Sequence, residues 1–206
     1  KGNINFFLKI KKIKKIKTKL SKKIKFNNEN KIEEKLKNLS KKTILLDALS
    51  CSIYFRNLII KKNKIIKKID PIYYFKSIKN STEIKNMKKS HMIDGVALTK
   101  FLFWIKKNFM KKKITEISAQ EKLENFRKMN KNYKFPSFST ISGTGPNSAI
   151  IHYKASYKSN RALKKGDLYL VDSGGQYSFG TTDVTRTISL GNSSKSIKDI
   201  YTRVLK

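Results

Sequence analysis

The stretch that follows Asn80 limits the possible folds of this chain more than any other feature of the sequence. Apolar side chains recur there at spacings of three, four and seven residues from Ile84 to Ile105, which places them along one face of an α-helix. Asn80 lies three positions before Glu83, and this spacing is the signature of a capped helix start. The sequence therefore predicts one long helix with a single buried face, followed by a second helix that begins at Ser118.

Short β-type runs lie on both sides of these helices. Residues 43–49 and 52–60 are rich in Ile and Tyr and are predicted to be strands. After the helices, turn-forming residues separate further predicted strands at 138–142, 149–153 and 167–173, and a predicted hairpin at 176–179 and 183–189. Helices followed by antiparallel hairpins indicate the α+β fold class.

The first forty residues differ in composition from the rest of the chain. Residues 1–40 alternate Lys with Ile and Leu in a low-complexity pattern. They are predicted to be disordered or helical, and a strand is the remaining alternative. The character of the chain changes again at Asp70-Pro71, so a domain boundary is expected between this dipeptide and the long helix.

The formal net charge of +34 raises the question of nucleic-acid binding, because a dense cationic surface attracts phosphate. Only five of the 48 basic residues are Arg, however, and specific contacts to bases depend on the bidentate Arg side chain. Abundant Lys together with Ile and Asn is typical of AT-rich coding, so no specific nucleic-acid partner is expected. Basic nucleic-acid binding through residues 1–40 is kept as an alternative function.

Cysteine usage and hydropathy bear on the cellular location. Cys51 is the only cysteine, which excludes an intrachain disulfide and fits a reducing compartment. The most apolar segment, residues 44–60, is interrupted by Asp47, Arg56 and Asn57, so no membrane span is predicted. The lysine-rich start lacks the apolar centre of a signal peptide. The expected location is the cytoplasm, with no membrane partner.

Two aspartates are the strongest candidates for chemistry. Asp172 ends the apolar run 169–171, and Asp183 follows eleven residues later, a separation that suits two strands of one hairpin. Two ionised carboxylates that meet in a partly buried site repel unless a cation lies between them, and hard divalent cations prefer carboxylate ligands. The segment 165–194 has a net charge of −1 in this basic chain, which favours cation binding. The alternative is that each aspartate is a turn residue or a surface ion-pair partner.

A histidine and a glycine cluster precede these aspartates. His152 lies twenty residues before Asp172 at the edge of a predicted strand, where it is either a structural residue or a functional one. The cluster at residues 143–145 is not followed by the Gly-Lys-Ser/Thr of a phosphate loop. Nucleotide binding is therefore not predicted.

Several ordered blocks resemble one family of enzymes. Residues 143–153 resemble the TGPN…IIHY segment of cytosolic-type Xaa-Pro aminopeptidases, and residues 169–177 resemble their YLxDSGxQY strand. Residues 180–187 resemble the block that carries the second aspartate in that family. Residues 94–98 and 115–119 are also similar to the family, so the resemblance covers most of the chain.

The resemblance implies a domain organisation and a reaction. The family has a pita-bread catalytic domain preceded by smaller α/β domains. Residues 41–80 would be the end of a creatinase-like N-terminal domain, and residues 81–206 would be the N-terminal half of the catalytic domain. The implied reaction removes the N-terminal residue from peptides with proline in second position, and members of the family often form homodimers.

The resemblance also implies a site with two divalent ions, expected to be Mn(II), bound by two Asp, one His and two Glu. Asp172 would bind one ion and Asp183 would bridge both, with Thr185 supporting them. His152 would contact the substrate and assist proton transfer without binding metal. The His and both Glu ligands are expected beyond Lys206, so the 206-residue chain itself is expected to be inactive. A pita-bread peptide-binding module without metals is the alternative, and the intact aspartates argue against it.

Overall fold

The computed structural model describes residues 4–9, 11–12 and 23–206. The chain divides into two compact units, Lys1–Ile78 and Lys79–Lys206. In the described part of the chain, no helix combines the length and the apolar character that a membrane crossing requires.

The first unit is built from two parallel strand pairs and short helices. The strands β1 and β2 pair in parallel, as do β3 and β4. The elements are β1 (Ile4–Leu8), β2 (Ile24–Asn28), α1 (Ile32–Lys37), β3 (Thr43–Leu46), α2 (Ile53–Ile59), β4 (Lys64–Lys67) and α3 (Pro71–Ser77). In the β3–β4 pair the two parallel strands are joined through α2, which is typical of an α/β arrangement.

The prediction of a disordered or helical segment at residues 1–40 is wrong for β1 and β2, where the remaining alternative of a strand holds, and for residues 1–3, 10 and 13–22 it lies outside the described residues. The five residues of Ile4–Leu8 pair one to one with those of Ile24–Asn28, so each strand provides the backbone hydrogen-bond partners of the other. The rings of Phe6 and Phe26 meet edge to face with centroids 6.1 Å apart. Lysines dominate the composition, but the apolar residues between them pack across the pair and decide the local structure.

The prediction of a strand at residues 52–60 is also wrong, because Ile53–Ile59 form the helix α2. The strands that flank it, β3 and β4, are parallel. Two parallel neighbours cannot be joined by a tight turn and need a crossover, which is usually a helix. Ile59 is buried while Ile53 is exposed, so the apolar residues follow the repeat of a helix rather than the alternation of a strand.

Two helices form the first layer of the second unit. The helix α4 (Ser81–Asn108) has the predicted capping box, in which Asn80 accepts from the Glu83 amide and Glu83 accepts from the Asn80 amide. The helix α5 (Glu116–Lys128) begins before the predicted Ser118. Thr115 caps this helix, and Ser118 completes the capping box because its hydroxyl accepts from the Thr115 amide at 2.9 Å.

Two antiparallel three-stranded sheets follow these helices. One sheet has the order β10-β7-β6 and the other has the order β5-β8-β9. The elements are β5 (Tyr133–Pro136), β6 (Ile141–Thr144), a 3-10 turn (Gly145–Ala149), β7 (Leu168–Ser173), β8 (Gly175–Tyr177), β9 (Gly180–Thr181), β10 (Val184–Ser189) and the last helix α6 (Lys195–Leu205). The predicted hairpin of 176–179 with 183–189 does not form, because β8 pairs with β9 while β10 returns to β7.

The core of the second unit lies between the helices and the sheet that contains β7. Phe101 and Ile105 of α4 and Leu123 of α5 are fully buried, as are Tyr169 and Val171 of β7. Burial alternates along β7, so residues 169, 171 and 173 face this core and residues 168, 170 and 172 face away from it. The outward row includes Asp172, which places this carboxylate on the partly exposed face of the sheet.

Candidate metal centre

Asp172 lies near the end of β7, the central strand of its sheet. Asp172 is opposite Thr185 on β10 and opposite Ile141 on β6, so the three residues share one face of the sheet. The prediction that Asp172 and Asp183 face each other on two strands of one hairpin is wrong in its pairing: β7 and β10 are antiparallel neighbours, but β8 and β9 lie between them along the chain. The partner of Asp172 in that ladder is Thr185 rather than Asp183.

Asp183 lies one residue before β10. The ladder between β7 and β10 ends at Ser173 and Val184, so Asp183 follows directly beyond it. Asp183 and Thr185 are two positions apart, so strand alternation continued by one residue past Val184 would put Asp183 on the face that carries Asp172. Diagonal neighbours of this kind lie about 7–8 Å apart in a regular ladder, so the two carboxylates are expected at one edge of the sheet. Asp183 and Thr185 are exposed, whereas Asp172 is half-buried.

The Asp172 carboxylate has an unsatisfied acceptor. Its Oδ1 atom is buried and has no hydrogen-bond partner. A buried carboxylate oxygen without a partner is costly, and a hard divalent cation would satisfy it. Asp172 and Asp183 together therefore fit the oxygen ligands that Mn(II) or a similar ion takes, although two carboxylates alone do not complete a site.

A buried ion pair anchors the strand that carries Asp172. Arg127 of α5 donates from Nε to Asp94 Oδ1 at 2.6 Å and from an Nη atom to Asp94 Oδ2 at 3.1 Å, so the pair is bidentate. The same Nη atom donates to Ser173 Oγ at 3.0 Å, and the Tyr177 hydroxyl donates to Asp94 Oδ1 at 2.7 Å. These contacts tie α4 and α5 to the residue that follows Asp172. We call this group of four residues the Asp94 cluster.

Burial, followed by the hydrogen bond to Asp94, raises the pKa of the Tyr177 hydroxyl above its usual range. Tyr177 therefore remains a protonated donor at neutral pH, which the Asp94 carboxylate requires. The Asp94 cluster could have been inferred from the sequence, since Asp94 falls on the apolar stripe of the long helix and Arg127 lies four residues after the buried Leu123. A charged residue of opposite sign on the buried face of each helix indicates that the two side chains form an ion pair.

His152 lies in a turn and not at a strand edge as predicted. The 3-10 turn at Gly145–Ala149 ends the β structure after β6, and His152 follows in a left-handed conformation with φ of 54°. A non-glycine residue in this region is strained, and such strain is most often found at functional sites. The His152 side chain is exposed and makes no hydrogen bond to Asp172 or Asp183 within the described residues.

A second buried carboxylate, Glu116 at the start of α5, holds the loop that presents His152. Its Oε1 accepts from the Thr144 amide at 2.8 Å, and its Oε2 accepts from the Tyr153 hydroxyl at 2.8 Å and from the Arg161 amide at 3.0 Å. Both oxygens also accept from the Asn147 side chain, at 3.0 and 3.1 Å. The beginning, middle and end of the loop are thus fastened to one fully buried side chain.

The Glu116 interactions were missed in the sequence because their partners lie far along the chain. Glu116 follows the capping residue of α5, where an acidic residue is expected for reasons of helix capping alone. Burial raises the pKa of the adjacent Tyr153 hydroxyl, so this group stays a donor to Glu116. Tyr153 is the residue after His152, and its anchoring fixes the backbone next to the strained position.

The described residues contain no group of three or more His, Cys, Asp and Glu side chains placed to hold a metal ion. The structure pairs Asp172 with Thr185 on one sheet, has Asp183 just before the paired strand β10, and keeps His152 on a separate loop that Glu116 holds.

Comparisons with known proteins agree with the division of the chain into two units. Residues 85–206 match the model of metallopeptidase family M24, and residues 1–83 match the creatinase/prolidase N-terminal domain. The chain is 42% identical over 156 residues to Xaa-Pro aminopeptidase ApepP of Drosophila melanogaster, which covers 75% of this chain and 25% of that protein. It is 44% identical over 179 residues to Xaa-Pro aminopeptidase 1 of Dictyostelium discoideum, which covers 84% of this chain and 28% of that protein. The chain spans about a quarter of the length of these relatives.

Solved structures are similar to most of this chain. An X-prolyl aminopeptidase of Caenorhabditis elegans, described as a cytosolic enzyme with a di-nuclear active site, is 26% identical with a TM-score of 0.77 and covers 92% of this chain and 32% of that chain. Prolidase from Pyrococcus furiosus is 27% identical with a TM-score of 0.79 and covers 98% of this chain and 57% of that chain. These matches confirm the predicted fold class, an α+β pita-bread domain preceded by a smaller α/β domain.

Proposed function

Because the chain belongs to metallopeptidase family M24, we propose that it supplies part of the active site of an Xaa-Pro aminopeptidase. Relatives of that name share 42–44% identity with the chain, which supports this substrate class over others that the same fold serves. The observation that carries the proposal is the buried, unpartnered Oδ1 atom of Asp172 beside Asp183. The reaction would release the N-terminal residue from a peptide with proline in second position.

In this proposal, the two aspartates bind metal and neighbouring residues keep them in place. Asp172 would hold one divalent ion and Asp183 would bridge two, with Thr185 opposite Asp172 in the ladder. When bound, the two ions, which we propose to be Mn(II), would activate a water molecule and polarise the carbonyl before proline. Ser173, which accepts from Arg127, fixes the backbone next to Asp172.

His152 would act on the substrate and not on the metal. Its exposed imidazole lies outside the Asp172 strand, on a loop that the buried Glu116 carboxylate fastens at several points. A neutral imidazole can accept or donate a proton near physiological pH. We propose that His152 contacts the peptide and exchanges a proton with it during cleavage.

The rest of the site would come from elsewhere in the protein. Because the chain spans about a quarter of its curated relatives, we propose that a His and two Glu ligands lie outside these 206 residues. The 206 residues alone would then be inactive. We also propose that residues 41–80 end the N-terminal domain, that 81–206 form the first half of the catalytic domain, and that the complete protein is a cytoplasmic homodimer.

A peptide-cleavage assay on the complete protein that carries these residues tests this function. With Mn(II) present, we expect it to release the first residue from an Arg-Pro-Pro peptide and not from Arg-Ala-Ala. Losing a ligand shared by two ions removes several kcal/mol of stabilisation, so Asp183→Ala should reduce the rate by roughly a thousandfold.

Asp199→Ala is the matched control, since this exposed aspartate of α6 makes no hydrogen bond or ion pair in the described structure. It should leave the rate unchanged. Equal rates for Asp183→Ala and wild type would contradict the proposal. So would the absence of any cleavage at Xaa-Pro by the metal-loaded protein.

A further inference from the structure

Ser137 joins the two segments that carry Asp172 and Asp183, although it belongs to neither. It lies directly after β5 and is half-buried. Its amide donates to the carbonyl of Gly174 at 3.1 Å, and its hydroxyl donates to the carbonyl of Thr182 at 2.9 Å. One residue from a third segment therefore bonds to both sides of the strand pair.

Both hydrogen bonds of Ser137 lie just beyond the end of the ladder between β7 and β10. The ladder between β7 and β10 ends at Ser173 and Val184, and Gly174 and Thr182 lie just beyond that end. Beyond this point the chain after β7 turns into the other sheet as β8. The two strands diverge beyond this point, and the hydrogen bonds of Ser137 link Gly174 to Thr182 where the ladder has ended.

The Thr182 carbonyl belongs to the peptide unit that leads into Asp183. Thr182 is almost fully buried, its amide donates to the Gly175 carbonyl at 2.9 Å, and its Oγ1 accepts from the Gly175 amide at 2.9 Å. These bonds hold the amide and the side chain of Thr182. The Ser137 hydroxyl holds the Thr182 carbonyl, and with it the orientation of the peptide plane that precedes Asp183.

We propose that Ser137 is a positioning residue that sets the separation of the Asp172 and Asp183 carboxylates and thereby the affinity for divalent cations. The inference rests on the proposed function, because it assumes that these carboxylates bind metal. Metal sites tolerate little change in ligand spacing, and loss of a partner that orients a ligand typically lowers metal affinity by about 10–100-fold. Among the described residues, the Ser137 hydroxyl is the one group that forms a hydrogen bond to the Thr182–Asp183 peptide, so its removal would leave that peptide without a partner.

The test is calorimetric titration of the complete apo-protein with Mn(II), using wild type, Ser137→Ala, Ser137→Thr and Ser139→Ala. Ser139 is exposed, lies in the same segment and makes no hydrogen bond in the described structure, so it is the matched control. We expect Ser137→Ala to bind Mn(II) about tenfold or more weakly, with a melting temperature only a few degrees below wild type. Ser137→Thr, which keeps the hydroxyl, and Ser139→Ala should stay within about threefold of wild-type affinity.

The outcomes separate this inference from the function on which it rests. If wild type binds no Mn(II), both are wrong. If wild type binds Mn(II) and Ser137→Ala binds it equally well, the aminopeptidase proposal stands and the role of Ser137 is refuted. The role is also refuted if Ser137→Thr binds as weakly as Ser137→Ala, because the hydroxyl would then not be the cause.

Discussion

Replacing Gly174 with alanine is expected to lower the free energy of unfolding by about 3 kcal/mol and to weaken metal binding at the same time. A Cβ atom at this position would lie closer than 3.0 Å to the carbonyl of Thr182 and to the hydroxyl of Ser137. Both neighbours are held by hydrogen bonds, and the Thr182 carbonyl is part of the backbone, so neither can move away cheaply. The segment that leads to Asp183 would be pushed away from β7.

Gly95→Ala is the control for this prediction. Gly95 lies within α4, and a Cβ atom there would meet no atom within 4 Å. Alanine restricts the unfolded chain and favours the helix, so this variant should gain about 0.5–1 kcal/mol. Urea unfolding of both variants, followed by Mn(II) titration, makes the comparison. An unchanged urea midpoint for Gly174→Ala would show that the close approach of the two segments is not required.

Replacing Arg127 with methionine is expected to destabilise the protein by about 3–5 kcal/mol. The change keeps an unbranched apolar stem but removes the guanidinium, so among the described residues the Tyr177 hydroxyl is the remaining side-chain donor to the Asp94 carboxylate, which is 2% exposed. An uncompensated buried charge is the main cost. Ser173 would also lose its donor, so the backbone next to Asp172 should become less constrained.

Lys128→Met tests whether burial causes this effect. Lys128 is the next residue of α5 and forms an ion pair with Glu124 at 3.6 Å, but its side chain is 61% exposed. Solvent screens such a pair, so its loss should cost less than about 1 kcal/mol. Unfolding of the two variants in urea compares a buried and an exposed ion pair on the same helix. Similar losses for both would contradict the assignment of Asp94 and Arg127 as a structural anchor.

Local patterns in the sequence predicted the elements that depend on neighbours along the chain. The start of α4 is an example, because the capping box of Asn80 and Glu83 and the apolar stripe both lie within one segment. The prediction of a strand at residues 52–60 was wrong because it used composition alone. Their β-branched and aromatic residues favour a strand, whereas the parallel pairing of β3 and β4 requires a crossover, here a helix. The start of α5 was placed late because Ser118 was taken as the capping residue, whereas Thr115 caps the helix and Ser118 completes its capping box.

The candidate ligands could be chosen from the sequence, whereas the residues that hold them in place could not. Asp172 and Asp183 stand out because acidic residues flank apolar strands in an otherwise basic chain. Their supports depend on contacts across long separations, such as Ser137 to Thr182 and Tyr177 to Asp94, which no local pattern encodes. The positive φ of His152 likewise occurs in the loop that Glu116 holds, and no local pattern predicts it.

The most direct test of the central claim is the amount of manganese bound per chain by the complete protein after equilibrium dialysis against excess Mn(II). We expect two ions per chain for wild type and fewer than one for Asp183→Ala, since this aspartate would contribute to both ions. Asp199→Ala should still bind two. If wild type binds no manganese, or if Asp183→Ala also binds two ions, Asp172 and Asp183 do not form the metal centre proposed here.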